Sequence, residues 1–236
     1  MKSNKPIEDV TVGILVPCYK RPEYTVQTLK ALKNAQEYEN VYFYLVDDGS
    51  KDGTEDMLHA IELPNKTVIV NNNNMGLRNT VLKFFKWARE KNLDIIGVVG
   101  NDALMPKDWL TTMRRSLLTT DLDVASLNYM PSNPAFTQGF EDKENKGYRV
   151  AHDIVGLWFM DRKLTDGVEF DDAQLYGIKG SIAIMQQIKA EQDPKIGWIT
   201  EIQALDIGHW SGEAPGHIKS EAHREYYDEV HRGISW

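Results

Sequence analysis

The chain contains one cysteine, Cys18, among 236 residues. It cannot close an internal disulfide, which excludes a disulfide-stapled scaffold and sets the expectation of a reducing, cytoplasmic location. No run of about 18 apolar residues occurs, so no segment is expected to span a membrane. The N-terminus, Met1-Lys-Ser-Asn-Lys-Pro6, is charged with no apolar segment behind it, and no secretory leader is expected. The sequon Asn65-Lys66-Thr67 is therefore read as coincidence. Positive charge is not in excess either: 27 Lys+Arg against 35 Asp+Glu leave −8. That balance disfavours nucleic acid as a partner, since phosphate backbones are gripped by basic patches. Arg114-Arg115 and the stretch 143–149 are locally basic, but neither forms a long block.

Several chemical motifs are also absent. No G-x-G-x-x-G follows the first apolar run and no G-x-x-x-x-G-K-[ST] occurs, which argues against a dinucleotide dehydrogenase and a P-loop NTPase. There is no H-E-x-x-H, and the histidines have no C-x-x-C partner for a structural zinc site. Asp48-x-Ser50-x-Asp52-Gly53 begins like a calcium loop, but its twelfth position is His59 instead of Glu.

What is present is an ordinary globular composition, 42% apolar and 26% charged, long enough for one large domain or two small ones. Thr11–Val16 is a short apolar run closed by Pro17, as expected of a buried strand. Pro22 can open a helix, and Val26, Leu29 and Leu32 carry its spacing to about Gln36. Strands are expected at 41–46, 67–70 and 94–99, with helices between them from about Asp52 and over 77–90. This alternation predicts βαβ units and a largely parallel sheet. Beyond 121 the pattern loosens. A strand is expected at 122–127, a long loop at 128–147, an apolar segment at 153–160, a helix at 181–189, a strand at 197–207 and a charged helical tail at 219–231.

In parallel sheets ligands bind outside the carboxyl ends of the strands. The polar clusters at 47–53, 71–76 and 100–103 all follow predicted strands, so they are expected to share one sheet edge. Asp47-Asp48, Asn101-Asp102 and Asp171-Asp172 make that edge acidic. Carboxylates beside a diphosphate call for a divalent cation between them, and Mg²⁺ or Mn²⁺ takes one or two carboxylates plus phosphate oxygens. The competing reading is that these residues simply make turns.

At this point the sequence resembles a known family. Ile14-Leu-Val-Pro-Cys-Tyr19, Val46-Asp-Asp-Gly-Ser50 with Asp52-Gly-Thr54, Asn74-Met-Gly76, and Gly100-Asn-Asp-Ala-Leu-Met-Pro106 with Trp109-Leu110 look like the N-terminal half of family 2 glycosyltransferases. The resemblance implies the GT-A fold: an α/β domain with a Rossmann-like mixed, mostly parallel central sheet flanked by helices. It implies one domain over 1–236, with a nucleotide-sugar half at 1–120 and an acceptor half with the tail at 121–236. It also implies a metal-dependent, inverting transfer of a sugar from a UDP-sugar to the hydroxyl of a glycan or other acceptor.

By the same resemblance, Pro17 and Tyr19 would line the nucleotide base and Asp48 would accept the ring N–H of uracil. Arg78 would approach the ribose or phosphate, with a solvated helix position as the alternative, and Asn101 would join the nucleotide site. Asp102 would hold Mn²⁺ or Mg²⁺ with His209 as a late ligand, and a structural His209 stays open. Phe136, Phe140 and Tyr148 could stack on ligand or anchor a loop; Trp158 and Trp210 could face the pocket or the core. Two departures stand out: Gly100 replaces the first Asp of the family's D-x-D, and Tyr176-Gly177-Ile178 runs into Lys179-Gly180 where Glu-Asp is usual. Asp171 or Asp172 would have to supply the base, or merely cap a helix. A catalytically impaired nucleotide-sugar binding module, or a same-fold transferase acting on a modified nucleic-acid base, are the alternatives.

Overall fold

The computed structural model describes residues 5–34, 39–128, 141–142, 147–151, 154, 156–170, 175 and 177–206. The expected alternation is present. The strands are β1 (Val12–Cys18), β2 (Val41–Asp47), β3 (Lys66–Val70) and β4 (Ile95–Val99). The helices between them are α1 (Pro22–Lys33), α2 (Thr54–Ala60) and α3 (Leu77–Glu90). A two-residue strand β5 (Ala103–Leu104) leads into α4 (Trp109–Thr119) and β6 (Val124–Asn128). Then come β7 (Glu141–Asp142), β8 (Tyr148–Val150), β9 (Leu157–Asp161), α5 (Gly177–Gln192), β10 (Ile196–Gln203) and β11 (Leu205–Asp206).

One nine-stranded sheet takes the order β3-β2-β1-β4-β9-β6-β10-β8-β7. Pairings β3-β2, β2-β1, β1-β4 and β6-β10 are parallel, while β9 and β8 run against their neighbours. Seven of the nine strands therefore point one way. β1 and β4 are buried nearly throughout, as strands covered on both faces must be. On one face, Phe85 of α3 meets the Trp158 ring at 6.2 Å, and Trp158 Nε1 donates to Ser181 Oγ of α5 at 3.1 Å. On the other, Trp109 of α4 meets Phe159 at 5.5 Å. Trp158 is thus core, the expectation that an apolar run favours.

Three boundaries and one basic stretch differ from the periodicity. The first helix stops at Lys33, and the sixteen-residue α5 starts well before Ser181. The last predicted strand is two, because a bulge follows Ile199 and β11 leaves the sheet to pair with β5. The Arg114-Arg115 pair makes no basic groove: Arg114 is buried and donates to Glu39 O at 2.8 Å, and Arg115 pairs with Glu201. Among the described residues no helix is long and apolar enough to cross a membrane.

The amino end of the sheet is held by Asp94. Its carboxylate accepts from Lys5 Nζ at 2.8 Å, Thr11 N at 2.9 Å and Thr11 Oγ1 at 2.8 Å. Burial alone raises this carboxyl, but the bonds from Lys5 and Thr11 more than offset it and hold it below its ordinary value. Its contribution is full above the unfolded value of about 3.9 and is lost as pH falls through the lowered folded value. Asp94→Asn is expected to cost about 1 kcal/mol at pH 7. In urea denaturation the gap between variant and wild type should shrink steadily below about pH 4. A gap that persists unchanged into acid would contradict this account.

Candidate functional site

Strand order reverses at β1: the chain runs outward through β2 and β3, then returns to place β4 on the other side. The crevice at the carboxyl ends of β1 and β4 is therefore the topological switch point where such sheets bind ligands. Four loops meet there, and their side chains tie them together.

The Asp48 carboxylate is buried, yet three donors reach it. Oδ1 accepts from Asn71 Nδ2 at 2.8 Å and Met75 N at 2.9 Å, and Oδ2 accepts from Gly76 N at 3.0 Å. The loop after β3 thus folds back over the loop after β2. Gly49 makes this approach feasible: its φ is +80°, and a Cβ there would sit 2.7 Å from the Asn73 carbonyl carbon. Asp47 Oδ1 accepts from Ser50 N at 2.9 Å, closing the turn. Ser50 Oγ in turn accepts from Lys20 N at 2.8 Å, joining this loop to the one after β1.

Asn101 closes the circle from β4. Its Nδ2 donates to Thr25 Oγ1 at 2.9 Å and to Lys20 O at 3.3 Å. Lys20 and Arg21 both have φ of 59°, the left-handed region that costs a non-glycine residue roughly 1–2 kcal/mol. The bonds from Ser50 and Asn101 hold that turn in place. It delivers Arg21 Nη1 to Asp102 Oδ2 at 3.5 Å, with both side chains partly open to solvent. Arg21, Lys20 and Asn71 lie outside the family motifs and were missed by motif reasoning. The one available signal for Arg21 was a basic residue directly ahead of a helix-opening proline at a strand end.

The remaining predicted residues fall as follows. Pro17 lies in β1 opposite Val46, half-buried. Tyr19 is 42% exposed, Val70 39% and Met75 36%, and these are the exposed large apolar side chains of the described residues. Tyr19 directly follows β1, Val70 ends β3, and Met75 lies in the loop after β3 that folds over Asp48. Cys18 faces the core; burial, with Asp47 and Asp52 adding to it, pushes its thiol far above the ordinary range, so it is inert. Tyr148 is buried and donates to Asp121, an anchor for β8 and not a stacking surface. Asp171, Asp172, His209, Phe136, Phe140 and Trp210 lie outside the described residues.

Arg78 is not a solvated helix residue. It is fully buried at the start of α3, where Nη2 donates to Gln187 Oε1 of α5 at 2.6 Å. This contact bears on the missing Glu-Asp pair. A Cβ on Gly180 would come within 2.8 Å of Arg78 N and 2.9 Å of Leu175 O, both backbone atoms that cannot step aside. Glycine at 180 is what lets α5 lie against α3, and no carboxylate fits there. Lys179 beside it points to solvent.

Asp102 is suited to a divalent cation by its chemistry. It is a partly exposed oxygen ligand of the hard kind such ions take, and Arg21 stands beside it. No group of three or more His, Cys, Asp or Glu that could hold a metal occurs among the described residues. β5 pairs with β11 so that Asp206 lies opposite Ala103, next to Asp102.

The family model for glycosyl transferase family 2 matches residues 13–174. The chain belongs to that family. Over 126 residues it is 25% identical to the glycosyltransferase GlyG of Streptococcus pneumoniae serotype 4, covering 50% of this chain and 38% of GlyG. The family member therefore spans well under half of that relative. Its fold matches S. aureus TarS (1–349) with a TM-score of 0.62 at 14% identity, over 91% of this chain and 68% of that one. The mannosyltransferase PcManGT of Pyrobaculum calidifontis, in complex with GDP-Man and Mn²⁺, matches with 0.63 at 15% identity, over 92% and 62%. TarS in complex with UDP-GlcNAc matches with 0.63 at 14% identity, over 83% and 58%. The fold is that of the GT-A glycosyltransferases.

Two substitutions check the site's construction. Asp48→Asn should cost about 1–3 kcal/mol, since an amide cannot accept from all three donors. Gly180→Ala should cost a similar amount, about 1–3 kcal/mol, through overpacking against backbone. Urea midpoints measure both, and wild-type values for either would refute the contacts described.

Proposed function

We propose that this chain is a metal-dependent glycosyltransferase that moves a sugar from a UDP-sugar to a hydroxyl acceptor with inversion. The observation that carries the donor assignment is the state of Asp48. A carboxylate offers about four acceptor positions, and Asp48 spends two at Oδ1 and one at Oδ2 on the loop after β3. Among the described residues, one position at Oδ2 remains. It suits uracil, whose edge presents a single ring N–H, better than guanine, whose edge presents two adjacent donors. Tyr19, Val70 and Met75 would cover the face of the base. TarS has been solved with UDP and with UDP-GlcNAc, which supports the uridine reading; PcManGT, solved with GDP-Man, is the counterexample within the fold.

A divalent cation held by Asp102, with His209 as a further ligand, would supply positive charge to the departing diphosphate. Manganese in the PcManGT complex supports this assignment. Pro17 and Asn101 would shape the nucleotide side of the crevice, Asn101 by fixing the turn at Lys20. Arg78 would act behind the site by fixing α5 on α3. Asp171 or Asp172 would take the proton of the attacking hydroxyl, since glycine at 180 leaves no carboxylate in the family's usual place. Residues 1–120 would form the donor half of one domain and 121–236 the acceptor half, in the cytoplasm.

That same glycine favours a second reading, a nucleotide-sugar binding module that has lost turnover. Release of UDP from a panel of UDP-sugars with Mn²⁺ separates the two. The transferase predicts release that Asp102→Ala reduces by 100-fold or more, on the order of one lost electrostatic contact to the leaving group. UDP binding without turnover on any donor would establish the module, and full turnover in Asp102→Ala would remove the metal assignment.

A further inference from the structure

The Arg21–Asp102 pair raises a question that the proposed function leaves open. The carboxylate assigned to the metal already has a cation beside it at 3.5 Å. This is not a chance surface pair. Arg21 caps α1 from a left-handed backbone, with φ 59° and ψ 53°. Its neighbour Lys20 shares that conformation and is tied by Ser50 from the loop after β2 and by Asn101 from the loop after β4. Arg21 O also accepts from Thr25 Oγ1, the same hydroxyl that Asn101 reaches. Three strand-end loops therefore cooperate to aim one guanidinium at one carboxylate.

We infer that Arg21 is a resident counter-cation that competes with the divalent ion for Asp102, so that metal enters with the diphosphate and not before it. The inference rests on the assignment of the metal to Asp102. With the crevice empty, Arg21 neutralises Asp102, and a second cation there meets like charge. An arriving diphosphate brings negative charge of its own, which the guanidinium can take as partner when the ion claims the carboxylate. The pair is well placed for such an exchange. Arg21 keeps 34% of its side chain open and Asp102 20%, so neither must pass through the core to change partner. Arg21 is thus a positioning residue for charge, and its effect is on the order of binding events. By linkage, cation and diphosphate must then strengthen each other's binding by the same factor.

The test is Mn²⁺ binding to the whole chain, followed by the electron paramagnetic resonance of the free ion, with and without UDP. Wild type, Arg21→Met, Arg21→Lys and Asp102→Ala are compared. Arg21→Met should bind Mn²⁺ alone about three- to tenfold more tightly than wild type, the scale of one partly exposed charge at this distance. Arg21→Lys, which keeps the charge, should stay near wild type. The factor by which UDP tightens Mn²⁺ should be smaller in Arg21→Met than in wild type. A merely structural arginine would instead weaken both measurements together. If Arg21→Met does not fold, Arg21→Gln replaces it. Equal Mn²⁺ affinity in wild type and Arg21→Met, with binding lost in Asp102→Ala, overturns the competition and leaves the metal site standing. Mn²⁺ binding that survives in Asp102→Ala, or is absent throughout, overturns the metal site and the competition with it.

Discussion

A buried carboxylate must be satisfied, and in this protein the requirement falls on Asp48. Charge removed from water is costly unless donors surround it. The donors come from the loop after β3: the Asn71 side chain and the backbone of Met75 and Gly76. That demand draws two strand-end loops together and forces glycine at 49. Through Asp47, Ser50 and Lys20 it reaches the loop after β1, and through Asn101 the loop after β4. The crevice is a consequence of this chain of polar obligations at the open end of an otherwise apolar sheet.

The same economy explains the two departures from the family's pattern. Where a first aspartate of D-x-D is usual, Gly100 leaves Asp102 with Arg21 as its basic partner. Where Glu-Asp is usual, Gly180 allows α5 to press on the backbone of Arg78, and Gln187 completes the contact. At the first position the crevice has one carboxylate beside one guanidinium; at the second, helix packing occupies the space a side chain would need.

Much of the fold could be read from the residues. Val12–Cys18, Val41–Asp47 and Ile95–Val99 are almost continuously apolar, short and bounded by turn residues, a pattern that fits strands covered on both faces. Leu77–Glu90 repeats its apolar positions at helical spacing, and they pack against β2 and β9. The second half was less legible because its signals are non-local. The break between β10 and β11 follows from pairing with β5, a hundred residues earlier. The early start of α5 includes Gly177 and Gly180, poor helix formers, and the place of Gly180 is decided by contact with α3.

Local order set the strand-end positions of Asp48, Asn101 and Asp102, because apolar runs and turn residues act over a few neighbours. It also made the sheet edge polar and the single thiol inert by enclosing it in a strand. Only the tertiary structure decided which of these side chains face each other. Asp48 turned out to bind a loop 23 to 28 positions further on, Arg78 to be buried instead of solvated, and Arg21 to oppose Asp102 across 81 residues. Such pairings depend on strand order and close approach in space, and neither is written in the spacing of neighbouring residues.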